Sequence, residues 1–130
     1  MGGKLTLRRY DLLMSHGPSI STLHGLSFHE ATILSLRHDG EAIELKLEGA
    51  RYAGNPYSVR LNFADAVNCK ADGELVAKLW MEAKDGEILT LEVNGHAVRL
   101  LVEWNEWQPR GQFVRCYDFE ASSVLIELEP

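Results

Sequence analysis

Histidine is the commonest metal-binding side chain, and three of the five histidines of this chain lie close together in the sequence. His16, His24 and His29 fall within fourteen residues, and Glu30 follows the last of them. A zincin helix places two histidines four residues apart on one face, whereas position 33 is Ile. The spacing matches no standard ligand set. We therefore rank a metal-dependent enzyme centred on these histidines below two other hypotheses, a role in binding a protein and a role in binding a small molecule. No metal or cofactor is expected.

The sequence motifs of common catalytic sites do not occur in this chain. It has no Gly-x-Ser-x-Gly nucleophile turn, no Walker A phosphate loop and no Gly-rich dinucleotide-binding fingerprint. Carboxylates are abundant, but no pattern in the sequence pairs two of them for acid–base catalysis. We therefore predict that the protein is not an enzyme.

The segment Glu103-Trp104-Asn105-Glu106-Trp107 combines two indoles with two carboxylates. Trp104 continues the core-facing row of the strand before it and is predicted to be buried. Trp107 lies beyond that strand in a polar loop, where an indole either folds back over the end of the sheet or contacts a partner. Trp and Tyr dominate binding hot spots, so a contact role is the functional interpretation. Alternatively, Trp107 joins Tyr52 and Tyr57 in binding a carbohydrate or another small molecule.

The net charge of −6 is unevenly distributed along the chain. Residues 1–70 contain eight basic and seven acidic side chains, whereas residues 71–130 contain five and twelve, so the two parts carry +1 and −7. Neither part has the clustered basic stripe that binds nucleic acid or an anionic membrane, and neither partner is expected. A basic protein domain is the electrostatic complement. The alternative is an acidic surface that only keeps the protein soluble.

Two features of the sequence indicate a cytoplasmic protein. No apolar stretch reaches the ~20 residues that span a bilayer, and no secretory signal follows the basic residues near the start. Cys69 and Cys116 lie far apart, outside any Cys-x-x-Cys motif, and are predicted to be reduced and buried.

Alternation of apolar and polar residues predicts strands that are joined by tight turns. Residues 31–48 are predicted to form a hairpin that turns at Asp39-Gly40, and residues 87–104 one that turns at Asn94-Gly95, because both dipeptides favour type I′ turns. Glu92 is then a diagonal neighbour of Arg99. The register predicted for the second hairpin pairs Val93 with His96, Leu91 with Val98, and Leu89 with Leu100.

The remaining segments are assigned by the same periodicities. Residues 74–83 are predicted to form a short helix capped by Asp72, with one apolar face that contains Leu75, Val76, Leu79, Trp80 and Ala83. The alternative is a strand, because Asp72-Gly73-Glu74 repeats the Asp-Gly-Glu that opens strands at 39–41 and 85–87. Residues 5–14 are predicted to form either a short helix or, at Leu5-Thr6-Leu7, an edge strand. The other assignments are loops at 49–56 and 105–111, a strand at 57–65, and a final strand pair at 112–120 and 124–129.

Turn signals recur about every ten residues and separate about seven strands, a spacing typical of antiparallel sandwiches and barrels. No Pro-, Gly- or Ser-rich linker divides the sequence. We therefore predict one mainly β (α+β) domain over residues 1–130, with residues 1–27 as a helix or turn lead-in. The expected architecture is an antiparallel β-sandwich or partly open barrel with one or two short helices.

Short motifs in this chain resemble a group of bacterial proteins. Phe28-His29-Glu30-Ala31 followed by Ile33-Leu34-Ser35-Leu36 resembles the opening strand of small β-rich immunity proteins, which neutralise polymorphic or contact-dependent toxins. Val59-Arg60-Leu61-Asn62-Phe63 and Trp104-Asn105 are similar to positions in the same group. The motifs are short and mostly apolar, and the resemblance spans residues 26–128. It implies a non-enzymatic inhibitor that blocks a toxin by surface complementarity, with His29 and Glu30 pinning the loop before the first strand.

Charge pattern and resemblance together predict a cytoplasmic protein whose acidic second half docks a basic toxin domain. Long-range attraction of this kind weakens as salt concentration rises. The residues predicted to contact the partner are Glu103, Glu106, Trp107 and Asp118.

Overall fold

Within the residues that the structure describes, ten strands pair antiparallel in one sheet, and apolar and polar residues alternate along most of them. The structure, a computed structural model, describes residues 5–11, 26–107 and 110–129. A mainly β, antiparallel fold is thereby confirmed. The strands are β1 (Leu5–Asp11), β2 (Thr32–Asp39), β3 (Ala42–Tyr52), β4 (Asn55–Ala64), β5 (Val67–Ala71), β6 (Glu74–Leu75), β7 (Asp85–Asn94), β8 (Ala97–Trp107), β9 (Arg110–Glu120) and β10 (Ser123–Glu129).

The strand order divides the sheet into two halves. Hydrogen-bonded neighbours follow the order β1-β10-β4-β3-β2-β7-β8-β9-β5-β6. Strands β2 and β7 share a single register pair, Thr32 with Glu87, so the junction between the halves is narrow. In the part of the chain that the structure describes, no pairing joins the end strands β1 and β6. The sheet is therefore not closed into a barrel.

Consecutive strands pass from one half of the sheet to the other twice, and the inner faces of the two halves meet. Residues 65–66 lead from β4 to β5, and residues 121–122 lead from β9 to β10. Phe63 of β4 and Phe119 of β9 meet edge to face, with ring centroids 5.1 Å apart. Buried side chains at alternate positions of both halves form one hydrophobic core.

Both predicted hairpins form, but each turns one residue later than predicted. Asn94 pairs with Ala97, so Gly95 and His96 are the central residues of the second turn. Gly95 has a φ of +59°, and Gly40 of the first hairpin has a φ of +62°. A type I′ turn requires positive φ at both central residues, but Glu41 and His96 at the second position do not have it. Both turns therefore match type II′, which has positive φ only at the first central residue.

The register of the second hairpin also differs from the predicted register, whereas the core-facing row of β8 is as predicted. Val93 pairs with Val98 and Leu91 with Leu100, a shift of two residues from the predicted partners. A shift by an even number keeps Leu91, Val93 and the core-facing residues of β8 on their predicted face. A bulge between Ile88 and Thr90 changes the face further along β7, where Ile88 and not the predicted Leu89 is fully buried. Glu92 lies directly opposite Arg99 instead of diagonally.

The helix predicted over residues 74–83 is wrong. Asp72 and Gly73 both have positive φ and form a tight turn that returns Glu74 and Leu75 along β5. Residues 76–84, called the strap below, continue without helix or strand. A helix would need the backbone N–H of Leu79, but this group donates a hydrogen bond to the ring of His38 instead. Asp72 is a turn residue and not a helix cap.

The predicted pairing of the last two strands is also wrong, because β9 and β10 are not neighbours in the sheet. Strand β9 lies between β8 and β5, whereas β10 lies between β4 and β1. The predicted loop at 49–56 shrinks to Ala53 and Gly54, because β3 and β4 extend to Tyr52 and Asn55. The predicted loop at 105–111 is mostly strand as well, since β8 runs to Trp107 and β9 starts at Arg110.

The lead-in predicted over residues 1–27 contains the edge strand β1 at Leu5–Asp11, not a helix there. Its partner is β10, at one end of the sheet. Residues 12–25 lie outside the described residues, as do 1–4, so the rest of this prediction stays untested.

Candidate functional site

The outer face of β7, β8 and β9 carries the first of the predicted contact residues. Along β8, Val98, Leu100, Val102 and Trp104 are buried in the core, so the residues between them point outward. Glu103 is one of these outward residues. It lies between Glu87 of β7 and Val114 of β9 in the sheet register.

Three carboxylates on this face form what we call the acidic stripe: Asp85, Glu87 and Glu103. Glu87 and Glu103 are directly opposite each other on neighbouring strands, and Asp85 is two residues from Glu87 on the same face. No ion pair connects any of the three to a cation in the described part of the chain. Like charges directly opposite in a sheet destabilise it, by roughly 0.2–1 kcal/mol. Val114, 47% exposed, adds an apolar side chain beside Glu103.

Asp118, also predicted to contact a partner, has a different environment. Its Oδ1 accepts a hydrogen bond from the Nε of Arg99 at 2.8 Å, and Lys70 of β5 lies opposite it. Four residues of β9 separate Asp118 from Val114, which corresponds to about 13 Å along the strand. The charge of Asp118 is therefore compensated within the sheet, and Asp118 lies apart from the acidic stripe.

Glu106 and Trp107 lie at the end of β8, paired in the backbone register with Gly111 and Arg110. The side chain of Trp107 lies outside what the structure describes, so its contact role stays a prediction. Trp104 is fully buried, as predicted.

The tyrosines of the alternative ligand site contact each other. The rings of Tyr52 and Tyr57 pack edge to face with centroids 5.8 Å apart, beside the turn between β3 and β4. Both are half-buried against the hydrophobic core. This contact accounts for the two rings structurally, and their joint action with Trp107 stays a prediction.

Of the predicted histidine cluster, His16 and His24 lie outside the described residues. The exposed His29 donates from Nδ1 to the carbonyl oxygen of Leu89 at 2.9 Å, and its Nε2 lies 3.7 Å from Glu30. The bond to Leu89 attaches the segment before β2 to β7. Among residues 5–11, 26–107 and 110–129, no group of three potential ligands could hold a metal ion.

Sequence reasoning missed a polar network on the inner side of β9. The hydroxyl of Tyr117 donates to Oε2 of Glu82 and accepts a hydrogen bond from Nε1 of Trp104 at 2.7 Å. The Nε of Arg115 donates to Oε1 of Glu82 at 3.0 Å, and its Nη1 donates to Asp72 at 2.9 Å. Burial and the bond to Glu82 raise the pKa of Tyr117, so the phenol stays protonated.

One signal in the sequence could have revealed this network. Phe113, Tyr117 and Phe119 alternate along β9 on the core side, and Arg115 occupies the same row. A charged residue in a core-facing row predicts partners of opposite charge near the edge of the core. The partners Asp72 and Glu82 come from the turn and the strap, 43 and 33 residues earlier in the chain. The bond from the backbone N–H of Cys116, together with Arg115, lowers the pKa of Asp72.

The strap and β9 leave a cleft between them with a volume of about 410 Å³. Lys78, Trp80 and Glu82 of the strap line one side, and Arg115 and Tyr117 line the other. Trp80 is 55% exposed, whereas its neighbour Leu79 is buried in the core. The cleft therefore combines an exposed indole with a fixed set of polar groups.

No helix among the described residues is long and apolar enough to cross a membrane. Comparison with protein-family models, with curated proteins and with solved structures finds no match to this chain. Function is therefore inferred from the geometry of the two surfaces described above, the acidic stripe and the cleft.

Proposed function

We propose that the protein is a non-enzymatic binding protein of the cytoplasm that docks a basic protein domain on the outer face of β7, β8 and β9. The hydrophobic core lies between the inner faces of the two halves, and the outer face of β7, β8 and β9 carries the acidic stripe. The proposed biological role is that of an immunity protein, which neutralises a cognate bacterial toxin by covering its surface.

The single observation that carries this proposal is the opposition of Glu87 and Glu103 in the acidic stripe. Two carboxylates in register repel each other, and no cation of the described chain compensates them. A Lys or Arg side chain of a partner placed between them would relieve the repulsion and form charge-assisted hydrogen bonds. The exposed Val114 supplies an apolar contact beside them.

The test uses the product of the toxin gene expected beside the gene for this chain. Its affinity for the intact protein is measured by calorimetry for the wild type and for the double variant Glu87→Gln, Glu103→Gln. We expect the double variant to bind about tenfold more weakly or worse, because each carboxylate loses its charge-assisted bonds. We also expect wild-type affinity to fall with added salt.

The matched control is the double variant Glu48→Gln, Glu129→Gln. It changes the net charge equally, at exposed positions of β3 and β10 in the other half of the sheet. Equal weakening by both double variants would show that only net charge matters and would contradict the proposed surface. Full protection from the toxin by a variant in which Glu103, Glu106 and Trp107 are all changed to Ala would also contradict the proposed surface.

A stability measurement separates lost binding from lost folding. Because Glu87 and Glu103 repel each other, Glu103→Gln should raise the free energy of unfolding in urea by roughly 0.2–1 kcal/mol. A variant that binds more weakly while folding more stably is the expected signature of a carboxylate pair retained for binding. A decrease in the free energy of unfolding would show that Glu103 has a stabilising partner instead.

A further inference from the structure

The cleft between the strap and β9 lies apart from the acidic stripe and calls for a different ligand. Its volume of about 410 Å³ is within the range of about 300–1,000 Å³ that is usual for small-molecule sites. Its floor is formed by Tyr117, Glu82 and Arg115, on the core side of β9. The acidic stripe lies on the opposite, outward side of the same half of the sheet.

The polar groups of the floor are held in place before any ligand arrives. Glu82 accepts from Tyr117 with one oxygen and from Arg115 with the other. Arg115 donates in addition to Asp72, and its guanidinium lies 5.0 Å from the centroid of the Phe113 ring. These bonds use two of the five N–H donors of Arg115, and each carboxylate oxygen can accept more than one bond. A ligand would meet donors and acceptors that need little reorganisation.

The rim of the cleft offers an aromatic face. Trp80 remains 55% exposed although Leu79 and Ala83 on either side of it are buried. The bond from the Leu79 N–H to Nδ1 of His38, 3.0 Å long, anchors the strap directly before Trp80. The indole is therefore attached to a fixed backbone and lines the cleft at its open side. An aromatic ring in this position provides contact area for a flat, partly apolar ligand face.

Charge decides which class of ligand fits. Asp72, Glu74 and Glu82 face Lys78 and Arg115 around the cleft, three negative groups against two positive ones. An anionic ligand would meet the three carboxylates, and a cationic ligand would meet the two cations. A purely apolar ligand would bury Glu82 and Arg115 without replacing the hydrogen bonds that they make with water. A neutral ligand with many hydroxyl groups satisfies donors and acceptors together, because each hydroxyl can both donate and accept.

We infer that this cleft binds a neutral saccharide, with one face of a sugar ring stacked on Trp80 and with ring hydroxyls bonded to Glu82 and Arg115. This site is additional to the proposed protein-binding surface and does not depend on it. Replacing Glu87 and Glu103 should leave saccharide binding unchanged.

The test is a titration of the intact protein with glucose, galactose, mannose, N-acetylglucosamine, cellobiose and lactose. Binding is followed by saturation-transfer NMR and by tryptophan fluorescence. We expect at least one of these sugars to bind with a dissociation constant in the millimolar range or below. We expect Trp80→Ala to weaken that binding about tenfold, because the stacking face is lost, and Trp80→Phe to restore part of it.

Leu75→Ala provides the matched control for an exposed apolar side chain on the neighbouring segment. Leu75 is 74% exposed and does not line the cleft, so this variant should bind sugar like the wild type. Circular dichroism checks that each variant folds. The inference is overturned if no sugar of the panel binds at millimolar concentration or if Trp80→Ala binds as well as Leu75→Ala. Stronger binding of glucose 6-phosphate or glucosamine than of glucose would overturn the neutral class.

Discussion

At the scale of single residues, close packing around Trp104 shows how one side chain constrains three strands. The indole is fully buried, and its Nε1 donates to the hydroxyl of Tyr117 on β9. On the other side, Gly86 of β7 lies directly opposite Trp104 in the register. A Cβ atom at Gly86 would lie 2.6 Å from the indole ring, closer than van der Waals contact allows. Gly86 is therefore required by the ring that packs on its backbone.

We accordingly expect Gly86→Ala to destabilise the protein by about 1–3 kcal/mol, because a buried ring cannot move aside without disturbing its hydrogen bond. Urea unfolding followed by circular dichroism measures this change. Gly111→Ala is the control, since a Cβ atom at Gly111 meets nothing within 4 Å. If Gly86→Ala is no less stable than Gly111→Ala, the packing described for Trp104 is incorrect.

At the scale of elements, the strap shows why a helical pattern does not always make a helix. Leu79 and Ala83 are buried as one face of a helix would be, yet Trp80 and Leu75 of the same predicted face are exposed. Bonds to distant groups replace the local ones: the Val76 N–H donates to the carbonyl of Cys69, and the Leu79 N–H donates to His38. An extended strap held by tertiary contacts outcompetes a short helix, because isolated short helices are marginal in water.

The burial of His38, whose ring contacts the strap, makes stability depend on pH. Burial, together with the nearby Lys78, lowers the pKa of His38 below its ordinary value of 6.5, while a bond to the carbonyl of Gly40 opposes this shift. The unfolded chain therefore binds the proton more readily than the folded chain. This contribution to stability is complete above pH 6.5 and is lost as the pH falls through the lowered pKa.

We expect the free energy of unfolding to decrease as the pH is lowered from 7 to about 5, and His38→Gln to remove most of this dependence. Urea unfolding at several pH values measures both slopes. The control is His29→Gln, which changes a histidine that does not contact the strap. An unchanged slope in His38→Gln would show that other groups cause the pH dependence.

At the scale of the whole molecule, the two halves of the sheet are joined both at the junction of β2 and β7 and through the hydrophobic core. The junction of β2 and β7 has one register pair, whereas the inner faces share a continuous hydrophobic core. Phe63 and Phe119 form one contact across this core, with their planes at 82°. Such edge-to-face pairs contribute about 0.5–1.5 kcal/mol beyond their burial.

A double-mutant cycle tests this connection. We expect Phe63→Leu and Phe119→Leu each to destabilise the protein, and the double variant to be destabilised by less than the two changes together. The expected coupling energy is about 0.5–1.5 kcal/mol. All four proteins should unfold in one cooperative transition, monitored by fluorescence and circular dichroism. Strict additivity, or separate transitions for two halves, would contradict a shared core.

The sequence by itself determined local features: most of the long strands, the core-facing row of β8, and the burial of Trp104. These follow from the period-two pattern, which survives the two-residue error in register. The bulge between Ile88 and Thr90, which interrupts this pattern in β7, was not predicted, and neither was strand β5. Only the tertiary structure decided which strands are neighbours, because β9 and β10 follow each other in the chain yet pair in different halves. The tertiary structure also determined which residues come together in the two candidate sites. Glu87 meets Glu103, and Arg115 meets Glu82 and Asp72, through contacts between distant segments that no local pattern encodes.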